Sequence, residues 1–368
     1  MRRILAQMRK ELTQILRDRL ALALALVLPL IQFMLMGNSV SLSVNNLPII
    51  VQDLDNSIAS HQFIDAFRAS ITFHIVPWPV DKQPEQALTS NTARAALIIP
   101  THFGRDMARG LSSPVQLLVD GSDSNTARLI FGYASEVARA YNQRTAGLTH
   151  PDPVQTAIRL WYNPGRSSKK FYGPGIFVLA ISMFPPLLAA LAMAGEGEQK
   201  TILQVYVSSI SAHEFLLGKI FAFMLVALSE CLLLLTVLFT YVGLRLVGDP
   251  TPFIVATVLY IFCVAAFGTM VGAVIPNQSA ALQAVALGGY LLVFLLSGLI
   301  FPIENIPIGL RWLSHLIWGR YYIEIVRDAM LQGGGWPAIG HKVLIIGVIG
   351  AIFFFMAWRK MRRMQLKA

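Results

Sequence analysis

The sequence predicts an α-helical polytopic membrane protein with six transmembrane helices and an inserted α/β or α+β extracytoplasmic domain. Its 368 residues are 55% hydrophobic and only 14% charged, with a mean hydropathy of +0.58. Six apolar runs are long enough for the roughly 20 helical residues that cross a bilayer. Between the first two runs lies segment 42–172, which is long enough for a domain with its own core.

The predicted spans leave both chain termini on one side of the membrane, because their number is even. They are residues 20–40, 174–194, 218–244, 253–275, 281–301 and 341–358. Cations flank the first and the last span, at 1–19 and 359–368, and basic residues concentrate on the cytoplasmic side. We therefore expect a cytoplasmic interface helix at 1–19, a basic cytoplasmic tail at 359–368 and an extracytoplasmic domain at 42–172. No aromatic residues interleave with these cations, so nucleic acid is not a predicted partner.

The 42–172 domain alternates apolar runs with amphipathic ones, a pattern typical of alternating strands and helices. Its predicted strands are residues 47–51, 73–76, 95–99 and 115–119, with a possible final strand at 158–162. Its predicted helices are residues 57–69, 81–89, 103–109 and 123–144.

Sequence motifs for catalysis and for nucleotide or metal binding are missing from the chain. It contains no G-x-x-x-x-G-K-[ST] phosphate loop, no H-E-x-x-H, no Cys-x-x-Cys and no G-x-S-x-G. The histidines lack metal-ligand spacing, and Cys231 and Cys263 both fall inside predicted spans. The sequence therefore predicts neither a catalytic site nor a cofactor or metal in this chain.

The segment between the second and third spans, 195–217, has an unusual charge for a connecting loop. It carries Glu196, Glu198 and Glu214, and Lys219 follows it, whereas cytoplasmic loops are usually rich in Lys and Arg. Two interpretations follow: an amphipathic helix lying on lipid, or a surface for a partner protein. Lipid-lying helices usually carry cations on their polar face, which favours the partner.

Helical periodicity within the 195–217 loop places Ile202, Leu203 and Tyr206 on one face of a helix. Ser211 and Glu214 then have the spacing of a capping box before the next apolar run. The loop is therefore predicted to contain a helix, a break and the capped start of another helix.

The 195–217 loop resembles the coupling segment of ABC-2 type exporter permeases. The family pattern has Arg-Glu-Arg-Glu, a Thr, a Ser/Thr-Pro and later a Glu followed by Gly-Lys. This sequence departs from it at Gly195, Gly197, Lys200 and Ser209, where the family has Arg, Arg, Gly and Pro. The matching residues are Glu196, Glu198, Thr201, Ser208, Glu214, Gly218 and Lys219.

Other stretches extend the resemblance over nearly the whole chain. Residues 161–164, Trp-Tyr-Asn-Pro, are similar to the family's entry into its second span, and residues 53–57 fit the subgroup with a large extracytoplasmic insert, similar to bacterial multidrug-type permeases. Residues 302–340 are semi-polar and are predicted to form outer re-entrant gate helices. The residues that match the family's outer signature are Phe301, Pro302, Glu304, Pro307, Tyr322 and Arg327.

The resemblance implies a transport subunit, in a bacterial inner membrane, that exports a drug-like or lipophilic compound. It implies pairing with an identical or related permease and with ABC ATPase subunits that bind ATP and Mg, and in some members with a periplasmic membrane-fusion adaptor. The residues implied to couple to the ATPase are Glu196, Glu198, Thr201, Ile202, Leu203, Tyr206, Glu214 and Lys219.

Glu230 lies well inside the third predicted span, where an ionised side chain is costly. Two roles are consistent with this position: contact with a cationic substrate or a proton, or a hydrogen bond to Ser or Tyr of a neighbouring helix. Pro185 and Pro186 in the second span, and Pro276 after the fourth, are either flex points or static kinks.

Two other function classes compete with the exporter. A proton-coupled secondary transporter would usually have several intramembrane ionisable groups and an internal repeat, and neither is clear here. A membrane sensor with an extracytoplasmic ligand domain needs only two spans and a cytoplasmic signalling module, whereas this chain has six predicted spans and no such module.

Overall fold

The computed structural model divides the chain into two compact units. The helical unit comprises Met1–Ser41 and Leu160–Ala368, and the sheet unit comprises Leu42–Arg159. The structure describes residues 1–39, 46–79, 82–90, 92–121, 124–145, 168–207, 210–300, 303 and 306–365.

The part of the helical unit that is described contains six helices long and apolar enough to cross a membrane. With the small mixed sheet of the other unit, this confirms the predicted fold class of a polytopic helical membrane protein with an additional domain. We number these helices as spans 1 to 6. They are Arg19–Asn38, Lys169–Glu198, Ala212–Val242, Thr251–Val274, Gln278–Leu296 and Trp336–Arg362.

Shorter helices accompany the spans. An N-terminal helix, Arg2–Arg17, precedes span 1, and Asp18 caps the first turn of that span through hydrogen bonds from the backbone N–H groups of Leu20 and Ala21. Further helices are Ile202–Val207, Ile308–Ser314 and Trp318–Arg327. Segments with π-helical hydrogen bonding are Ala23–Val27, Leu238–Val242, Ala286–Leu291 and Asp328–Gln332.

Several helices extend beyond the predicted apolar stretches. Span 2 continues to Glu198 and span 3 begins at Ala212, so both enter the predicted 195–217 loop. Span 6 begins at Trp336, inside the predicted 302–340 segment. Hydropathy marks the apolar part of a helix, whereas backbone hydrogen bonding continues into polar flanks until a cap or a turn ends it.

Spans 2 and 4 pack with their backbones in direct contact. A Cβ atom added at Gly272 would lie 2.5 Å from the carbonyl oxygen of Ala190, and one at Gly268 would overlap the carbonyl oxygen of Pro186. Small residues permit this approach, as in other helix pairs of membrane proteins. The helix of span 2 is continuous through Pro185 and Pro186, and this contact supports it there.

The sheet unit is built on four described strands, which are β1 (Leu47–Asp53), β2 (Phe73–Ile75), β3 (Ala95–Ile99) and β4 (Gln116–Val119). Their order in the sheet is β2-β1-β3-β4. β1 pairs in parallel with β2 and β3, and β3 pairs antiparallel with β4. The predicted strand at 158–162 lies outside the described residues. The helices of this unit are Ile58–Arg68, Pro84–Thr89, Phe103–Ala108 and Ser124–Thr145.

The loops after β1 and β3 are joined by Asp55. Its carboxylate accepts a hydrogen bond from the backbone N–H of Gly104 at 2.8 Å. Hydrogen bonding to Ser57, and then to Gly104, lowers the pKa of Asp55 below its usual value. A Cβ atom at position 104 would lie 2.5 Å from the Ser57 hydroxyl, so glycine is required for this close approach.

Gly268→Ala is expected to destabilise the helical unit by about 1–3 kcal/mol, because the added methyl group must separate spans 2 and 4. The melting temperature of the purified protein in detergent measures the effect. Gly347→Ala is the control, since its Cβ would meet Leu259 of span 4 at an ordinary 3.6 Å. Equal melting temperatures for the two variants would contradict the close packing.

Candidate coupling site

The 195–217 loop starts with a tight turn at the end of span 2. Span 2 ends at Glu198, and Lys200 has a backbone φ of +57°, in the left-handed region that glycine adopts most easily. The hydroxyl of Thr201 donates to the carbonyl of Glu196 at 3.3 Å and closes the turn before the helix Ile202–Val207. The glycine of the family pattern at position 200 thus suits this backbone better than the lysine present here.

Four charged residues, which we call the ion network, join this turn to span 3 and to the N-terminal helix. They are Lys10, Glu11, Glu196 and Lys219. The Nζ atom of Lys219 lies 2.9 Å from Oε1 of Glu11 and 3.3 Å from Oε2 of Glu196. The Nζ atom of Lys10 lies 2.6 Å from Oε1 of Glu196. The side chain of Lys219 has no exposed surface and that of Glu11 is 3% exposed, so these charges depend on one another for solvation.

Neighbouring residues of the N-terminal helix and of span 3 support the ion network. Gln7 donates to Oε1 of Glu11 at 2.9 Å. Partial burial by itself would lower the pKa of Lys10, but its hydrogen bond to Glu196 and the charges of Glu196 and Glu11 raise that pKa overall. A Cβ atom at Gly218 would lie 2.6 Å from the Cβ of Gln7, so the N-terminal helix can approach span 3 only because position 218 is glycine.

Glu198 connects the end of span 2 to the start of span 5. Its Oε2 atom accepts a hydrogen bond from the backbone N–H of Gln278 at 3.0 Å. Gln278 is at the N-terminus of span 5, where the positive end of the helix dipole stabilises a negative charge. A Cβ atom at Gly197 would lie 3.0 Å from the Cβ of Pro276, and one at Gly195 would lie 3.5 Å from the Gln278 side chain. Glycines in place of the family's two arginines therefore fit a connection that packs closely over this turn.

Glu214 begins span 3 as the predicted capping box requires. It accepts hydrogen bonds from the backbone N–H and the hydroxyl of Ser211, at 3.0 and 2.8 Å. Arg3 of the N-terminal helix lies 3.7 Å from the same carboxylate. All three acidic residues of the loop, Glu196, Glu198 and Glu214, thus have partners within the chain.

The helix Ile202–Val207 presents apolar side chains to solvent in the isolated chain. Leu203 is 54% exposed and Val207, one turn further on, is 89% exposed. Ile202 packs inward against a buried apolar cluster that includes Phe215 and Met361. The side chain of Tyr206 lies outside the described residues.

The residues predicted for an outer gate fall into different environments. Phe301, Pro302 and Glu304 lie outside the described residues, and Pro307 precedes the helix Ile308–Ser314. Tyr322 is fully buried, stacked on Tyr260 of span 4 with ring centroids 3.9 Å apart, and its hydroxyl lies 2.8 Å from that of Thr257. The structure thus places Tyr322 in the core of the helical unit.

Arg327 connects the 302–340 segment to its neighbours. Its guanidinium donates to the carbonyl of Gly298 at 3.1 Å and lies 4.5 Å from the centroid of the Phe171 ring at the start of span 2. Glu324, on the same helix as Arg327, forms an ion pair with Lys342 of span 6 at 2.8 Å. The helix Trp318–Arg327 is therefore held between spans 2, 5 and 6.

Glu230 of span 3 is fully buried, and neither of its carboxyl oxygens has a hydrogen-bond partner in the described part of the chain. The alternative role predicted for Glu230 is a hydrogen bond to Ser or Tyr of a neighbouring helix. No such hydrogen bond is present among the described residues.

Sequence reasoning missed Lys10 and Glu11 as members of this site. The available signal was in the N-terminal helix, where Ile4, Met8, Glu11 and Ile15 recur at helical spacing. An acidic residue in an otherwise apolar stripe indicates a buried partner of opposite charge.

These features define a polytopic helical membrane protein: six spans in the described residues, an additional domain, and a loop helix that presents apolar side chains between two of the spans. A model for the ABC-2 family transporter protein matches residues 20–359, so the chain belongs to the ABC-2 transporter family, as the resemblance predicted. It is an ABC transporter permease subunit.

Named relatives cover almost the whole chain. The probable multidrug ABC transporter permease YbhR of Escherichia coli K12 is 27% identical over 97% of this chain and 99% of its own length. The probable multidrug ABC transporter permease YbhS of the same strain is 24% identical over 98% and 97%. The inner membrane transport permease YhhJ is 23% identical over 96% and 95%.

The backbone at position 200 gives a testable prediction. Lys200→Gly is expected to raise the melting temperature, because the left-handed conformation costs a non-glycine residue about 1–2 kcal/mol. Lys200→Val is expected to lower the melting temperature, since a β-branched residue fits this region worst. A decrease for the glycine variant would show that the turn has another conformation.

Proposed function

We propose that this permease exports a drug-like or lipophilic compound, powered by a separate ATPase that binds ATP and Mg and engages the helix Ile202–Val207. The observation that carries this proposal is the exposure of Leu203 and Val207 on a loop whose acidic residues all have partners within the chain. Membership in a family of ABC transporter permeases supports the presence of the ATPase.

The proposed contact is chiefly apolar. Two large side chains one helical turn apart form a ridge that fits a hydrophobic groove, the usual way in which an amphipathic helix docks. Glu196, Glu198, Glu214 and Lys219 then have the role of holding the loop in position, because each is already bound within the chain. Thr201 and Ile202 support the turn and the inner face of the same helix.

The proposed transmission is mechanical. The helix Ile202–Val207 is joined directly to spans 2 and 3, so closure of an ATPase dimer against it would displace both spans as rigid bodies. A second permease, identical or related, would complete the translocation pathway. The 302–340 segment would gate its outer end, and Arg327 would link that gate to the start of span 2.

The proposed orientation places both termini and the 195–217 loop in the cytoplasm of a bacterium and the sheet unit outside its inner membrane. The basic residues before span 1 and after span 6 support this orientation. A relative described as an inner membrane transport permease supports the location. Docking of a periplasmic adaptor on the sheet unit remains a prediction of the resemblance.

The double substitution Leu203→Asp and Val207→Asp is expected to abolish co-purification of the ATPase from the native host in mild detergent. Two charges in a hydrophobic groove would be desolvated without partners, at a cost of several kcal/mol. The stoichiometry of the purified complex and its ATP hydrolysis rate are the measurements.

Ile58→Asp is the matched control for that experiment, because Ile58 is an 80% exposed apolar residue of the sheet unit. It is expected to leave the complex intact. Recovery of an active transporter with no ATPase, from the unmodified chain, would contradict the proposed function. An intact complex with the double variant would show that the ATPase binds elsewhere.

Glu230 is proposed to contact a cationic part of the substrate along its path. An ionised carboxylate at mid-membrane costs roughly 2.5–3.5 kcal/mol, and an entering cation would offset that cost. Glu230→Gln is expected to reduce efflux of a cationic dye such as ethidium from cells severalfold, at unchanged expression. Unchanged efflux would remove Glu230 from the transport pathway.

A further inference from the structure

We propose that Glu11 and Lys219 are positioning residues which bind the N-terminal helix and both ends of the 195–217 loop into one rigid body. The local structural claim stands by itself, whereas its consequence for energy transfer rests on the proposed function. In the described part of the helical unit, the ion network is the only group of ion-paired charges that joins three separate elements of the chain, and Lys219 and Glu11 are almost completely buried in it.

The first argument is the position of Lys219 along the chain. Glu196 lies at the start of the 195–217 loop and Lys219 lies two residues after its end, and 3.3 Å separates Nζ of Lys219 from Oε2 of Glu196. The loop is therefore closed at its base by one ion pair. A force on the helix Ile202–Val207 then reaches spans 2 and 3 together and does not spread their ends apart.

The second argument is the N-terminal helix. Its Glu11 carboxylate lies 2.9 Å from the ammonium of Lys219, and its Lys10 ammonium lies 2.6 Å from the carboxylate of Glu196. The close approach at Gly218 puts this helix against span 3, where the ion network joins it to the base of the loop. Since the helix leads through Asp18 into span 1, displacement of the loop would also displace span 1.

The third argument concerns electrostatics. Two ammonium groups alternate with two carboxylates, so the ion network has no net formal charge although Lys219 and Glu11 are almost completely buried. Attraction is strong where water is excluded, and removal of one partner leaves the other charge buried without compensation. The ion network therefore fixes the N-terminal helix to the loop while all its members are present, and loss of one member is expected to release that helix.

Hydrogen–deuterium exchange of the full-length protein in detergent tests the rigid body without any need for the substrate. In Lys219→Met, amides of Arg2–Arg17 are expected to exchange about tenfold faster or more, because exchange follows the free energy of local opening. Lys219→Arg keeps the positive charge between the two carboxylates and is expected to restore slow exchange.

Arg94→Met is the matched control, since it breaks an ion pair of 2.8 Å between Arg94 and Asp120 in the sheet unit. It is expected to leave exchange in Arg2–Arg17 unchanged. Wild-type exchange rates in Lys219→Met would overturn the proposal. If Lys219→Met does not fold, Glu11→Gln decides, because it removes one carboxylate and leaves Glu196 beside Lys219. Faster exchange in Arg2–Arg17 then supports the ion network, and wild-type exchange overturns it.

The consequence for energy transfer is tested in the complex with the co-purified ATPase. Trapping with ATP and vanadate is expected to change exchange in Arg2–Arg17 and in Ile202–Val207 together, and to change only the latter in Lys219→Met. A change confined to Ile202–Val207 in the unmodified complex would overturn the rigid body. Absence of any ATPase partner contradicts the proposed function separately, because the exchange experiment on the permease alone still tests the ion network.

Discussion

A lysine ammonium with no exposed surface is the constraint on which the architecture of the candidate site depends. Lys219 can be buried only if carboxylates reach it, and the structure brings them from two distant parts of the chain. Glu196 comes from the end of span 2 and Glu11 from the N-terminal helix. The end of span 2 is followed by the left-handed turn at Lys200, and the N-terminal helix can approach span 3 because Gly218 has no side chain. The geometry of the loop therefore follows from the need to solvate one charge.

The acidic residues of the 195–217 loop all have partners within the chain. Their unusual charge in a connecting segment suggested a polar surface for a partner, but Glu196, Glu198 and Glu214 are bound to span 3, span 5 and the first turn of span 3. The large apolar side chains that face solvent in the described part of this loop are Leu203 and Val207. Intramolecular ion pairs orient the helix, and apolar side chains are free to bind. Under the proposed function such a loop would transmit force, because the residues that fix its position differ from those that the partner would contact.

The parts of this structure that the sequence could predict are those with a local cause. Apolar runs predicted the spans, alternating runs predicted β1 to β4, and the spacing of Ser211 and Glu214 predicted the cap. The ion network could not be predicted in this way, because Glu11 and Lys219 are 208 positions apart and only packing brings them together. The burial of Tyr322 against Tyr260 has the same cause. A motif shows that a residue matters, but the direction of its side chain depends on neighbours from elsewhere in the chain.

Packing in the helical unit also limits how the proposed movement can occur. Buried residues make up 83% of the most apolar stretch of span 2 but only 17% of that of span 1, and Gly268 and Gly272 allow span 2 to pack directly on span 4. Bending at Pro185 and Pro186 would disrupt that backbone contact, which favours a static role for these prolines. Span 2 is therefore expected to move together with span 4. Spans 1, 5 and 6 have few fully buried residues in the isolated chain, which leaves side chains of these spans available to lipid or a second permease. Displacement of the 195–217 loop would then change the contacts of spans 1, 5 and 6 with lipid or a second permease, while spans 2 and 4 stay packed together.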